Sequence, residues 1–172
     1  LDTENRVIFL GTYSKTFAPG VRIGWIVANS EIINKFVQIK QGSDLQSSSL
    51  DQHITAAYMD KYDLNEHIEL IKSVYAKRRN VMIETMKKSF HPSITFTESN
   101  GGLFTWVELR DDLDTKLILE EALKENVAYV PGVSFFAHGD KKNFMRLNYS
   151  CMSEEKIKVG IERLAKVLNK YY

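Results

Sequence analysis

The chain has 172 residues, 44% hydrophobic and 26% charged, with 23 Lys and Arg against 22 Asp and Glu and a formal net charge of +1. This is globular composition, long enough to bury roughly 70% of the unfolded surface, with no field for nucleic acid or an anionic membrane and no apolar run near the ~18–20 residues of a membrane span. The single cysteine, Cys151, cannot close an internal disulfide, and the expectation is a soluble, cytoplasmic protein.

The chain opens Leu1-Asp2-Thr3-Glu4-Asn5, without Met, and runs at once into strand-like residues. This start suggests the C-terminal piece of a longer protein. Val7–Leu10 is short, β-branched and aromatic and reads as a buried strand, and Arg22–Ala28 reads as a second. The eleven residues between them include Pro19-Gly20. They leave little room for a crossover helix, so the two strands are expected to be antiparallel neighbours. Ser30 is the expected N-cap of a helix with Ile32, Ile33, Phe36, Val37 and Ile39 on its apolar side, closed by Gly42. The polar stretch 42–49 reads as a loop, followed by a helix over Gln52–Lys61.

From Asn65 to Ser89 a helical stripe continues through Ile68, Ile71, Val74, Val81, Met82 and Met86. A helix of that length, about 37 Å, exceeds the width of a small domain and is expected to bridge two units, with His91-Pro92 marking its end. Ile94–Thr97 and Leu103–Leu109 read as strands around Asn100-Gly101-Gly102. Asp114 caps a helix to about Glu125, and Val127–Val130 reads as a strand closed by Pro131-Gly132. Phe144–Tyr149 is another strand, and Ser153 caps a last helix with Ile157, Ile161, Leu164 and Leu168 on one face. The fold class is therefore α/β, in three segments: 1–64, a bridging helix over 65–90, and a small α/β domain over 91–172.

The chemistry is concentrated in Gly11–Trp25. Lys15 and Arg22 stand seven apart across a Pro-Gly turn, with the hydroxyls of Thr12, Ser14 and Thr16 nearby. Hydroxyls, an arginine fork and exposed backbone N–H groups are what a phosphate monoester requires. A lysine held beside another cation is a competent amine nucleophile. Phosphate ligation beside such a lysine points to pyridoxal phosphate held as a Schiff base. On spacing alone, a solvated basic turn at a strand edge is equally open.

The order Thr-x-Ser-Lys-Thr-x-x-Pro-Gly-x-Arg-x-Gly-Trp over Thr12–Trp25 resembles the lysine signature of fold-type-I pyridoxal-phosphate aminotransferases of class I/II. It is nearest the subgroup of 2-aminoadipate and kynurenine aminotransferases and the aminotransferase-like domains of MocR-type regulators. Lys40–Gln46, Asn100–Trp106, Val130–Phe136 and Met145–Ser150 are similar to further landmarks of that family, in its order, so the resemblance spans essentially the whole chain.

The resemblance implies that Lys15 holds pyridoxal 5′-phosphate and then moves the proton between Cα and the cofactor's C4′. It implies that Arg22 pairs with the phosphate, with Thr12 where the family usually has serine, and that Ser14 stands beside them. Arg146 is then the residue that binds the substrate α-carboxylate, although on the residue alone an ion pair at a strand edge would explain it. The implied fold is the end of the large-domain sheet (1–64), the bridging helix (65–90) and the small C-terminal domain. The implied activity is transamination between an amino acid and a 2-oxo acid by a homodimer. The alternative is an effector domain, sensing pyridoxal phosphate, of a MocR/GntR-type transcriptional regulator.

The phosphate-capping loop, the aspartate at the pyridine nitrogen and the aromatic that stacks on the ring have no counterparts in the sequence, so the 172 residues alone are expected to have little or no transaminase activity. Other candidates are weaker. His53, His67, His91 and His138 have no metal-ligand spacing. Cys151 reads as a small buried side chain, Lys77-Arg78-Arg79 as a solvated helix face, and Ser47–Ser49 as a plain loop.

Overall fold

The structure, a computed structural model, describes residues 2–172. The chain divides into two compact units, one reaching to Ile71 and the other Lys72–Tyr172.

In the first unit, β1 (Phe9–Thr12) and β2 (Gly24–Val27) form an antiparallel ladder with Gly11 opposite Trp25 and Thr12 opposite Gly24. The connection carries one 3-10 turn over Pro19–Val21 and no crossover helix, as its length requires. Helix α1 (Ser30–Ser43) is capped by Asn29, whose side chain accepts from Ile32 N–H at 2.9 Å. Asn29 is extended, so Ser30 is already the first helical residue. Gly42 does not end α1. Closure comes at Asp44, whose N–H donates to Lys40 O and whose carboxylate pairs with Lys40 Nζ at 2.9 Å. Ser48 caps α2 (Ser49–Lys61), so Ser49 belongs to a helix rather than to a loop.

The strands β1 and β2 are not buried: Val7, Leu10 and Val27 are 56%, 69% and 58% exposed. A continuous apolar run signals a strand that can be covered on both faces. Here a two-stranded ribbon carries it, and among the described residues of this unit only Thr55 is buried.

Helix α3 (Leu64–Ser89) is 26 residues long, with residues in both units. The second unit continues with β3 (Thr95–Phe96), β4 (Phe104–Glu108), α4 (Thr115–Lys124), β5 (Val130–Pro131), β6 (Phe144–Asn148) and α5 (Glu154–Leu168). The four strands are antiparallel in the order β3-β4-β6-β5. Asp114 and Ser153 cap α4 and α5 from their side chains, as read from the sequence. The core joins Met82 and Met86 of α3, Ile118 and Ala122 of α4, and Ile161, Leu164 and Leu168 of α5 to Val107, Met145 and Leu147 of the sheet.

The expected strand at Val127–Val130 shrinks to Val130–Pro131. Asn126 adopts φ 59° and its N–H donates to Leu123 O, while Val127 N–H donates to Ala122 O. These two bonds close α4 as a Schellman cap and take the N–H that a longer strand would use. Cys151 is exposed rather than buried, because it lies in the turn between β6 and α5, outside the sheet's alternation.

Of Lys77-Arg78-Arg79 only Lys77 is exposed, as a solvated face requires. Arg78 and Arg79 are half-buried, Arg78 Nη1 donates to Ser150 O, and Arg79 Nη1 donates to Ser99 O at 3.1 Å.

Period-2 alternation sorts the sheet's side chains. Thr105, Val107, Met145 and Leu147 are buried, and their neighbours Phe104, Trp106, Phe144 and Arg146 project to the opposite face.

Candidate functional site

The predicted lysine and phosphate residues share one closed loop. Tyr13 N–H donates to Ile23 O at 3.1 Å, extending the ladder by one bond and tying the two ends of the loop together. Beyond that bond the chain turns tightly: Phe17 N–H and Ala18 N–H both donate to Tyr13 O. Lys15 stands exposed in this turn. The hydroxyl of Thr12 accepts from Ser14 N–H at 3.1 Å and lies 3.0 Å from Ser14 Oγ, so the two hydroxyl residues form one polar cluster at the head of the turn.

Arg22 returns the chain to β2. Its backbone is left-handed at φ 54°, ψ 31°, a conformation that costs a non-glycine residue about 1–2 kcal/mol and that clusters at functional sites. Its Nη1 donates to Pro19 O at 3.1 Å, which leaves the rest of the guanidinium fork available.

Aromatic contacts support the loop from below. The Tyr13 and Trp25 rings are 4.6 Å apart, those of Phe17 and Tyr58 are 4.4 Å apart, and Tyr13 OH donates to Met59 Sδ at 3.5 Å. Helix α2 thus supplies the floor on which the turn rests. Two glycines permit the close approach. A Cβ on Gly11 would lie 2.1 Å from the Trp25 indole, and one on Gly24 would lie 2.9 Å from Gly11 O.

Arg146 is the remaining predicted site residue, on the face of the second unit's sheet opposite the core. It pairs across the ladders with Trp106 and Val130. Its guanidinium carbon lies 4.0 Å from the Phe104 ring centroid and 4.5 Å from that of Phe135. Arg146 Nε is buried with no hydrogen-bond partner among the described residues. A strand-edge ion pair therefore does not explain this arginine. A buried N–H without an acceptor is rare in folded proteins, and one at an arginine invites an anion.

The sequence reading missed Phe104 and Phe135 as parts of this site. The available signal was the alternation of β4, which puts Phe104 and Trp106 on the face that also carries Arg146 once β4 and β6 are paired. A cavity of about 740 Å³ between residues 126–128 and the Lys156–Arg163 side of α5 is lined by none of these residues.

The family model for aminotransferase class I and II matches residues 1–164. The aromatic-amino-acid aminotransferase 1 of Thermococcus litoralis is 45% identical over 97% of this chain and 40% of its own length. A solved structure of Pyrococcus horikoshii kynurenine aminotransferase, in complex with PMP, superimposes with a TM-score of 0.94 at 44% identity, covering 99% of this chain and 42% of that one. At 30% identity the HTH-type transcriptional regulator YdfD of Bacillus subtilis, itself uncharacterized, matches 95% of this chain and 34% of its own length. The chain thus spans about two fifths or less of the length of the relatives it matches.

Proposed function

The chain belongs to aminotransferase class I and II, and on that premise we propose that Lys15 anchors pyridoxal 5′-phosphate and that the whole protein transfers an amino group between an amino acid and a 2-oxo acid. The observation that carries this reading is the closed loop of Thr12–Arg22, which holds a primary amine, two hydroxyls and a left-handed arginine between two paired strands.

The donor set fits the cofactor. Thr12 and Ser14 offer hydroxyls, and Arg22 offers a guanidinium in the same loop, a donor set that suits a phosphate dianion. Bound in this way, the cofactor supplies an aldehyde for condensation with amines and a conjugated ring that withdraws electrons from the substrate Cα. Lys15 Nζ provides the amine that holds it and, once released, the base that moves the Cα proton. Arg146, whose Nε has no hydrogen-bond partner among the described residues, binds the substrate carboxylate.

Two further parts of the proposal concern context. A second copy of the protein would cover the apolar residues that α1 and α2 expose, Ile39 at 64% and Leu50 at 69% among them, making the working form a homodimer. The cytosol is the proposed compartment, since Cys151 is an exposed thiol that a reducing environment preserves. The regulator relative favours a second reading, in which the same residues bind cofactor in order to control an attached DNA-binding domain. Multiple turnovers of an amino acid with a 2-oxo acid by the whole protein would separate the two.

The direct test is incubation with pyridoxal phosphate, borohydride reduction and intact mass, with Lys15→Ala in parallel. A single reduced adduct that the substitution abolishes is the expected result. Labelling scattered over many lysines and unchanged by Lys15→Ala overturns the assignment.

A further inference from the structure

We propose that Phe104 and Phe135 are positioning residues for Arg146: their rings hold its guanidinium in place of an acidic counter-ion and leave its Nε–H donor unpaired for a carboxylate. The proposal rests on the carboxylate reading of Arg146 and adds what makes that arginine competent.

An arginine partly removed from water is ordinarily held by a carboxylate, which neutralises the charge and occupies the N–H donors. Arg146 is held differently. Two ring faces lie within 4.0 and 4.5 Å of its guanidinium carbon, and Nε has no acceptor among the described residues. A cation over a ring face is stabilised by the ring's quadrupole, and that attraction uses none of the N–H donors. No acid among the described residues compensates the charge, and an incoming anion has no counter-ion there to displace.

The Phe135 ring is itself braced. Phe135 meets Trp106 edge-on at 5.5 Å, Trp106 stacks on Phe144 at 5.7 Å, and Phe136 lies 5.1 Å from Phe144. This aromatic row comes from β4, β6 and the 3-10 turn after β5, so the guanidinium is fixed by three separate elements of one unit. Immobilising a long side chain before binding removes an entropic cost from the binding step. The rings thus act on affinity through Arg146 and need not touch the ligand.

The experiment uses the 172-residue chain labelled with 15N-arginine, with the Arg146 Nε–H resonance assigned by its loss in Arg146→Lys. Acetate is titrated at low ionic strength and the shift of that resonance is followed. In the wild type the Arg146 signal should move and saturate. Phe104→Leu and Phe135→Leu should each weaken acetate binding about threefold to tenfold, and Phe135→Tyr should bind as the wild type does.

Phe104 and Phe135 are 36% and 48% exposed, and unmoved resonances of the other arginines check that the fold is intact. If Phe104→Leu unfolds, the Phe135 pair decides. Leucine variants that bind acetate as the wild type does overturn the positioning role and leave the carboxylate reading standing. A wild-type Arg146 signal that acetate does not move overturns the reading and the positioning role together.

Discussion

Gly11 and Trp25 face each other across the β1–β2 ladder, and the indole occupies the space that a side chain at position 11 would need, 2.1 Å from its Cβ. The same indole contacts Tyr13, the residue whose N–H closes the lysine loop. Gly11→Ala must therefore expel the indole and unseat Tyr13. Since Trp25 is 39% exposed, it can swing outward, and the cost should fall near the low end of the roughly 1–3 kcal/mol typical of overpacking. Of the chain's two indole N–H resonances, the one from Trp25 should shift while that of Trp106 stays. An unmoved Trp25 signal in the alanine variant would refute this account.

Arg22 combines a strained backbone with the proposed phosphate contact. Glycine at this position relieves the left-handed strain, but it also removes the bond to Pro19 O and adds freedom to the unfolded chain. These effects nearly cancel, so Arg22→Gly should leave the thermal midpoint close to that of the wild type. Pyridoxal phosphate affinity, followed by absorbance titration, should fall at least about tenfold, the value of one lost charge-assisted contact. A lowered midpoint with unchanged affinity would make Arg22 a structural residue.

What the sequence made legible was local. Lys15, Thr12, Ser14 and Arg22 lie in one loop whose length forced an antiparallel return, so their spacing was enough to gather them. The Asp114 and Ser153 caps were equally local, each accepting from a backbone N–H two or three residues on. The failures were non-local. Whether Val7–Leu10 is covered depends on what lies over the ribbon, which a strand's own pattern cannot state. Arg78 and Arg79 looked solvated because their acceptors, Ser150 and Ser99, are 72 and 20 residues away. Phe104 and Phe135 meet Arg146 only through the β4–β6 register and the turn after β5. Val127 was lost to a cap that began on the preceding helix.

Those paired arginines on α3 support a stability prediction. Arg78→Met keeps much of the side-chain volume but leaves Ser150 O without its donor, which costs about 1–3 kcal/mol when the group stays shielded from water. Urea unfolding should show that loss as a lower midpoint with an unchanged slope. Arg78→Lys retains one donor and should recover part of it. A change within about 0.5 kcal/mol, the range of ordinary surface substitutions, would return Arg78 to the solvated face that its sequence context implied.

The bond between α4 and the C-terminal segment defines a pH window. Tyr171 OH donates to Glu121 Oε1 at 2.6 Å, and Lys170 Nζ lies 3.3 Å from Oε2. Accepting from Tyr171, with Lys170 adding a second donor, holds the Glu121 carboxyl below its ordinary value, and donating to Glu121 holds the Tyr171 phenol above its own. A depressed acid contributes stability above its unfolded pKa, about 4.3, and loses it as pH falls through the folded value. A raised phenol contributes below its unfolded pKa, about 10, and loses it as pH rises through the folded value. The stability difference between wild type and Tyr171→Phe should therefore be flat between about pH 5 and pH 9 and shrink on both sides. Thermal midpoints of the two proteins measured across that range provide the check. A difference that stays constant from about pH 3 to pH 11 would mean that the bond carries no charge-dependent stability, and that Tyr171 holds the end of the chain by its ring alone.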